Sequence, residues 1–164
     1  MSGIIGLANN KSGLIGPTAG TVLQTQRYTS SDQINITSDA WSTAKVAGNF
    51  AFTPKLATSN ILLMVTITSY ASTTAAYTFI DLYKNASDFS ETANLSGYTQ
   101  GLSVNHYGNV WQTTHFQWLD ECSENSTSTK TYKVSARLND GGGSGYIGWG
   151  NNSLDIVVIQ EIAT

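Results

Sequence analysis

The sequence predicts an all-β protein, a single antiparallel β-sandwich of jelly-roll type preceded by an extended N-terminal arm. Two observations carry that prediction. Runs of alternating apolar and polar residues recur along the chain, which is the period of half-buried strands. The composition agrees, with 40 Ser and Thr, 13 Asn and 15 Gly but only 12% charged residues. Hydroxyl, amide and glycine residues disfavour helices, whereas Thr and the eight Tyr suit a pleated surface. Repeated turn signals at short spacing leave no room for βαβ units, which leaves a β-sandwich or a closed β-barrel, with the jelly roll preferred. At 164 residues and 40% hydrophobic content the chain fills one well-cored domain rather than two.

The arm is residues 1–20 and the sandwich residues 21–164. In the arm Ser2-Gly3-Ile4-Ile5-Gly6 is echoed by Ser12-Gly13-Leu14-Ile15-Gly16. Its glycines forbid a stable helix, while Ile4, Ile5, Leu14 and Ile15 favour burial, and so they are the candidate docking residues. Strands are expected at Val22–Thr29 and Gln33–Thr37, with Ser30-Ser31-Asp32 as a bend or hairpin between them. Another is expected over Lys45–Phe52, stopped by Pro54, which cannot donate to a ladder. Ile61–Tyr70 is the most apolar run, and its β-branched content marks it as the central strand. Ala76–Lys84 and Val110–Leu119 alternate as strands on either side of an irregular segment, residues 85–109.

Thr131–Ile162 organises the C-terminal part. Tyr132, Val134, Ala136 and Leu138 share one face, and Lys133, Ser135 and Arg137 are expected on a wet one. A glycine tip from Asp140 to Gly145 is expected to form a hairpin to Leu154–Ile162. There Leu154, Ile156, Val158 and Ile162 make one apolar face, while Val157 and Ile159 are apolar on the other. With one face buried in the core, the second needs a cover, so Val157 and Ile159 are assigned to a subunit interface.

The net charge is −3, and the eight Lys and Arg are scattered from Lys11 to Arg137, which argues against nucleic-acid binding. Ile4, Ile5 and Leu7 are interrupted by Gly3, Gly6 and Asn9, giving neither a signal-peptide core nor a membrane span. Synthesis in a bacterial cytoplasm is expected, and the single Cys122 fits it.

Several stretches together carry a resemblance: the Ser-Gly-Ile-Ile-Gly arm, the Val-Leu-Gln-Thr opening strand, Phe52-Thr-Pro54 before Ser59-Asn-Ile-Leu-Leu-Met-Val65, Phe116-Gln-Trp-Leu-Asp120, Thr131-Tyr-Lys-Val134 and Ile156-Val-Val-Ile-Gln-Glu-Ile162. The chain resembles a family of virion structural proteins of tailed bacteriophages, especially marine ones, over nearly its whole length. The resemblance implies a jelly-roll-like homotrimer on the particle surface. It would be a capsid decoration (cement) protein, a head fibre or a tail fibre head, with the major capsid protein or a tail component as partner. One departure is Cys122, near which relatives commonly carry a proline.

The chemical motifs are weak beside this. Gly143-Ser-Gly-Tyr-Ile-Gly148 matches GxGxxG, but Trp149-Gly-Asn-Asn follows where a dinucleotide site needs a helix. His106, His115 and Cys122 lack metal-site spacing, and Asp120, Glu121 and Glu124 lie within one turn rather than across a cleft. No cofactor, metal or catalytic residue is assigned, and the sequons at Asn35, Asn85, Asn94, Asn125 and Asn151 are composition. Trp111, Trp118, Trp149, Tyr98, Tyr107 and Tyr146 offer faces for sugar stacking, of which Tyr98, Tyr107 and Trp149, in glycine-rich loops, are the candidate ligand group. Two functions follow: a structural protein docked on a virion through its arm, or a module recognising a host surface glycan.

Overall fold

The structure, a computed structural model, describes residues 17–30, 33–37, 50–72, 77–85, 95–96, 101–105, 110–121, 125–139, 144–148 and 155–164. Among these there is no helix. Ten strands are present: β1 (Val22–Ser30), β2 (Ile34–Ile36), β3 (Phe50–Phe52), β4 (Asn60–Ala71), β5 (Thr78–Lys84), β6 (Ser103–Asn105), β7 (Trp111–Asp120), β8 (Lys130–Leu138), β9 (Gly145–Ile147) and β10 (Asp155–Ile162). They form two antiparallel sheets. The larger runs β1-β10-β4-β9-β2, with β7 also on β4, and the smaller runs β3-β8-β5-β6.

The pairing is that of a rolled-up ribbon. With the short β2 and β9 set aside, the first strand pairs with the last (β1 with β10), the second with the second-last (β3 with β8), then β4 with β7 and β5 with β6. That nested order distributes the eight strands over two sheets as a jelly roll. The apolar run Asn60–Ala71 is central, as its sequence requires, since β4 is bonded to β10, β7 and β9.

One expected hairpin is absent. β8 belongs to the smaller sheet and β10 to the larger, so the glycine-rich stretch does not close a hairpin between them. Its end instead contributes β9, which pairs with β2 and β4. Of the two readings of Ser30-Ser31-Asp32, the hairpin is excluded, since β1 pairs with β10 while β2 pairs with β9. A turn signal marks where a chain bends without saying which strand it meets next.

The core lies between the sheets and holds Phe50, Phe52, Ile61, Leu63, Val65, Ile67, Ile80, Leu82, Tyr132, Val134, Ala136 and Leu138, all buried. Val157 and Ile159 belong to it at 1% and 0% exposure, which corrects their assignment to a second, uncovered face. The residues of β10 that turn away from the core are Ile156, Val158, Gln160 and Ile162. The face of β8 expected to be wet is covered too. Ser135 is buried beside Asp81, whose neighbours Phe79 and Tyr83 are buried on the same outer side. Leu95 and Ser96 lie against this sheet, with Leu95 N–H donating to Leu82 O at 2.8 Å and the Ser96 hydroxyl donating to the Asp81 carboxylate.

Polar groups tie the two sheets together at their margins. Asp120, at the end of β7, accepts from Lys84 Nζ at 2.9 Å and from the Tyr132 hydroxyl at 2.6 Å, and both partners come from the opposite sheet. Asp120 is therefore an inward strand residue rather than part of a solvated acidic loop. On the other margin the Tyr28 ring packs on Phe50 at 5.2 Å and its hydroxyl donates to Ala51 O, joining β1 to β3.

Candidate interaction surface

The register of the larger sheet fixes what its outer face presents. Because side chains alternate, every second residue of β1, β10, β4 and β7 points away from the core. Their cross-strand rows are Thr29–Ile156–Thr66–His115, Arg27–Val158–Met64–Gln117 and Thr25–Gln160–Leu62–Leu119. The middle of the face is apolar, built from Ile156, Val158, Leu62 and Met64, all half-buried, with Leu119 41% exposed at the β7 side. Its borders are neutral or cationic: Thr25, Arg27 and Thr29 on β1, and His115 and Gln117 on β7. His115 Nδ1 lies 2.8 Å from the Thr66 hydroxyl, its cross-strand neighbour in the row. An open groove of about 430 Å³ runs over Met64, Thr66, His115 and Gln117.

At one end of this face a fourth row is aromatic. Tyr146 of β9 stands opposite Tyr70 of β4, which stands opposite Trp111 of β7, and Asn35 of β2 stands beside Tyr146. The ring centroids lie 5.1 Å (Tyr70–Trp111), 5.9 Å (Tyr70–Tyr146) and 6.1 Å (Trp111–Tyr146) apart. Interplanar angles of 32° to 38° make the three a shallow fan. Each is half-buried, and their chain neighbours Ala71, Gly145 and Ile147 point the other way, into the core.

Two carboxylates sit on the core side of β10 and serve the fold. Glu161 accepts at Oε1 from Lys55 N–H (2.8 Å), Leu56 N–H (2.9 Å) and the Ser59 hydroxyl (2.6 Å), and at Oε2 from Gln24 Nε2 (2.7 Å). Burial alone would raise its pKa, but these bonds to the charged form outweigh burial and hold it below the ordinary value. Asp155 accepts Thr68 N–H at Oδ1, while Oδ2 has no hydrogen-bond partner among the described residues. Here burial dominates, and the carboxyl is pushed up to about 6.

Of the residues singled out in the sequence, Ile4, Ile5, Leu14 and Ile15 of the arm and the loop aromatics Tyr98, Tyr107 and Trp149 lie outside the described residues, as do His106, Cys122 and Glu124. Val157 and Ile159 are core, and their outward neighbours Ile156 and Val158 take their place on the surface. Trp111 and Tyr146 do come together, with Tyr70 as the member the sequence did not flag. Among the described residues no three His, Cys, Asp or Glu side chains gather as a metal site. No helix among them is long and apolar enough to cross a membrane.

No protein-family model matches the sequence, and neither does any of the curated proteins compared with it. Among solved structures, the chain is similar to particles derived from infectious bursal disease virus, at 13% identity and a TM-score of 0.46, over 88% of this chain and 37% of that one. It is similar to the VP2 subviral particle of the same virus at 14% identity and a TM-score of 0.43, over 96% of this chain and 41% of that one. Dimeric latent PorU from Porphyromonas gingivalis follows at 12% identity and a TM-score of 0.31, over 90% of this chain and 14% of that one. The chain thus spans well under half the length of these structures, and similarity at such values assigns neither a family nor a function.

Proposed function

We propose that this chain is a non-enzymatic structural protein of a bacteriophage virion, displayed on the particle surface as a capsid decoration (cement) or head-fibre protein. In this reading residues 1–20 dock it onto the major capsid protein, and copies of the chain associate, as a homotrimer, through the outer face of the larger sheet. The observation that carries the reading is the pairing of an Ile-rich arm with an apolar outer strip. Ile4, Ile5, Leu14 and Ile15 alternate with glycines that let a backbone lie close to a partner, and Ile156, Val158, Leu62 and Met64 form a patch that borders of Thr and Gln would seal. The jelly-roll order is a supporting analogy at the level of fold, since that architecture serves many viral coats but also lectins. The carboxylates of Asp120 and Glu161 are engaged by internal bonds, and Asp155 accepts the Thr68 N–H at Oδ1, which supports a structural role for all three.

The test uses the full chain. Wild type and a variant with Ile4, Ile5, Leu14 and Ile15 all changed to Ser are added to particles lacking the native protein. Bound copies are counted by quantitative mass spectrometry, and a gold label on the protein marks head or tail. Full occupancy on heads by the wild type and its loss in the variant are expected. Equal occupancy by both removes the arm as anchor, and a label confined to tails moves the protein to a tail fibre head.

A further inference from the structure

The row Asn35–Tyr146–Tyr70–Trp111 is not explained by particle docking. Its aromatic members come from three strands, β9, β4 and β7, and are brought together only because β9 takes over the β4 ladder where β10 leaves it. Ile156 of β10 pairs with Thr66, and from Ser69 onward the partner is β9. The rings turn outward, away from the core that Ala71 and Ile147 enter, so they do not fill the interior. Centroid separations of 5.1 to 6.1 Å hold them as one surface rather than three scattered side chains.

The chemistry of the row is selective. Its four members carry no formal charge, and neither does the next row inward, where the Thr68 and Thr113 hydroxyls lie 3.3 Å apart. Aromatic faces are apolar in the middle and, in Tyr and Trp, carry a polar handle at the rim. The Asn35 amide and the Thr113 hydroxyl add donors and acceptors at either side. A pyranose ring is the complementary object, with C–H groups on its face and hydroxyls around its edge. Among the described residues these two rows offer an anionic or cationic ligand no counter-charge. We infer that Tyr70, Trp111 and Tyr146, edged by Asn35 and Thr113, form a binding site for a neutral saccharide. The inference does not rest on the virion reading and stands or falls without it.

The full chain is titrated with maltoheptaose, laminarihexaose, cellopentaose and chitopentaose, with dextran sulfate as an anionic control. Saturation-transfer NMR reports the sugar, and tryptophan emission reports the protein. At least one neutral oligosaccharide is expected to saturate with a Kd of about 1 mM or tighter, and the control is expected not to bind. Trp111→Ala is expected to weaken that binding by at least about tenfold, and Asn35→Ala, on an exposed residue of short β2, by about threefold with an unchanged melting temperature. Wild-type protein that saturates with none of the four overturns the proposal. So does binding that both Trp111→Ala and Asn35→Ala leave intact. Should Trp111→Ala fail to fold, Asn35→Ala and Tyr146→Ser decide in its place.

Discussion

Asp155 Oδ1 accepts the main-chain N–H of Thr68 at 2.9 Å, at the point where β10 parts from β4 and β9 takes its place. The change of strand partner interrupts the ladder, and a buried N–H without an acceptor costs more than a hydrogen bond gains. One carboxylate oxygen fills the gap. On the other side of the same residue Gly148 N–H donates to Thr68 O at 2.7 Å, so the junction is closed from both directions.

The junction predicts a pH dependence. The Asp155 carboxyl lies at about 6 in the fold against an ordinary 3.8, so the folded chain binds a proton that the unfolded chain has already lost between those values. Stability contributed by this group is therefore greatest below about pH 4 and declines as pH rises to about 6, by ~3 kcal/mol at most. Asp155→Asn keeps an acceptor for Thr68 and removes the titration. It should equal the wild type near pH 4.5 and exceed it by about 2 kcal/mol at pH 7 in urea denaturation. A stability difference between Asp155→Asn and the wild type that stays the same at both pH values would remove the assignment.

Glu161 behaves in the opposite sense. Its folded pKa is lowered, so its contribution is present above the ordinary 4.5 and is lost as pH falls through the folded value. Glu161→Gln places an amide N–H₂ against the donors of Lys55, Leu56 and Ser59, or swings it toward Gln24. Hydrogen bonds to a charged acceptor carry about 1.5–3 kcal/mol each, and a loss of about 3 kcal/mol at pH 7 is expected, shrinking at pH 3. Guanidinium titrations at the two pH values measure both numbers.

Gly145 predicts a steric limit. A Cβ there would lie 2.9 Å from Tyr70 O and 2.9 Å from Leu138 Cδ2, between the main chain of one sheet and a core side chain of the other. The Leu138 methyl can shift, but the carbonyl is fixed in the β4–β9 ladder. Gly145→Ala is expected to cost about 1–3 kcal/mol and to lower the melting point by several degrees. Circular dichroism melts decide it, and an unchanged midpoint would mean that β9 moves aside freely.

The long strands were legible because their alternation is local: β4, β7 and β8 begin and end within a residue or so of where the pattern places them, whereas the three-residue β6 and β9, too short to alternate visibly, were read as irregular segment and hairpin connection. Strand number and the absence of helical periodicity pointed to a β-sandwich or a closed β-barrel, and the nested pairing of the strands decides for the jelly roll. What alternation does not contain is the partner, and the misread hairpin between β8 and β10 came from that. The face of β10 was misread for a different reason. Both of its faces are apolar, and the true core face carries Asp155 and Glu161, which read as solvent-seeking until Thr68, Lys55, Leu56 and Ser59 are seen to bond them. The aromatic row was half visible. Trp111 and Tyr146 stood out, but residues 70, 111 and 146 meet only through the register of β4 with two other strands.

The two faces of β10 give the sharpest contrast between fold and assembly. Ile159 is fully buried among the residues between the sheets, so Ile159→Ala leaves a cavity and should cost about 3 kcal/mol, or roughly 10 °C in melting temperature for a domain of this size. Val158, its neighbour, points outward between Arg27 and Met64 and is half-buried. Val158→Asp should leave the monomer folded, since the carboxylate can reach water and the Arg27 guanidinium, and should cost under about 1 kcal/mol. Its effect should appear in association instead, because a charge in the centre of an apolar patch must be desolvated when two copies meet. Light scattering is expected to show an oligomer for the wild type and for Ile159→Ala below its melting point, and a monomer for Val158→Asp. If Val158→Asp associates as the wild type does, copies of this chain do not meet through the outer face of the larger sheet. If it unfolds while Ile159→Ala does not, the assignment of inner and outer faces on β10 is reversed.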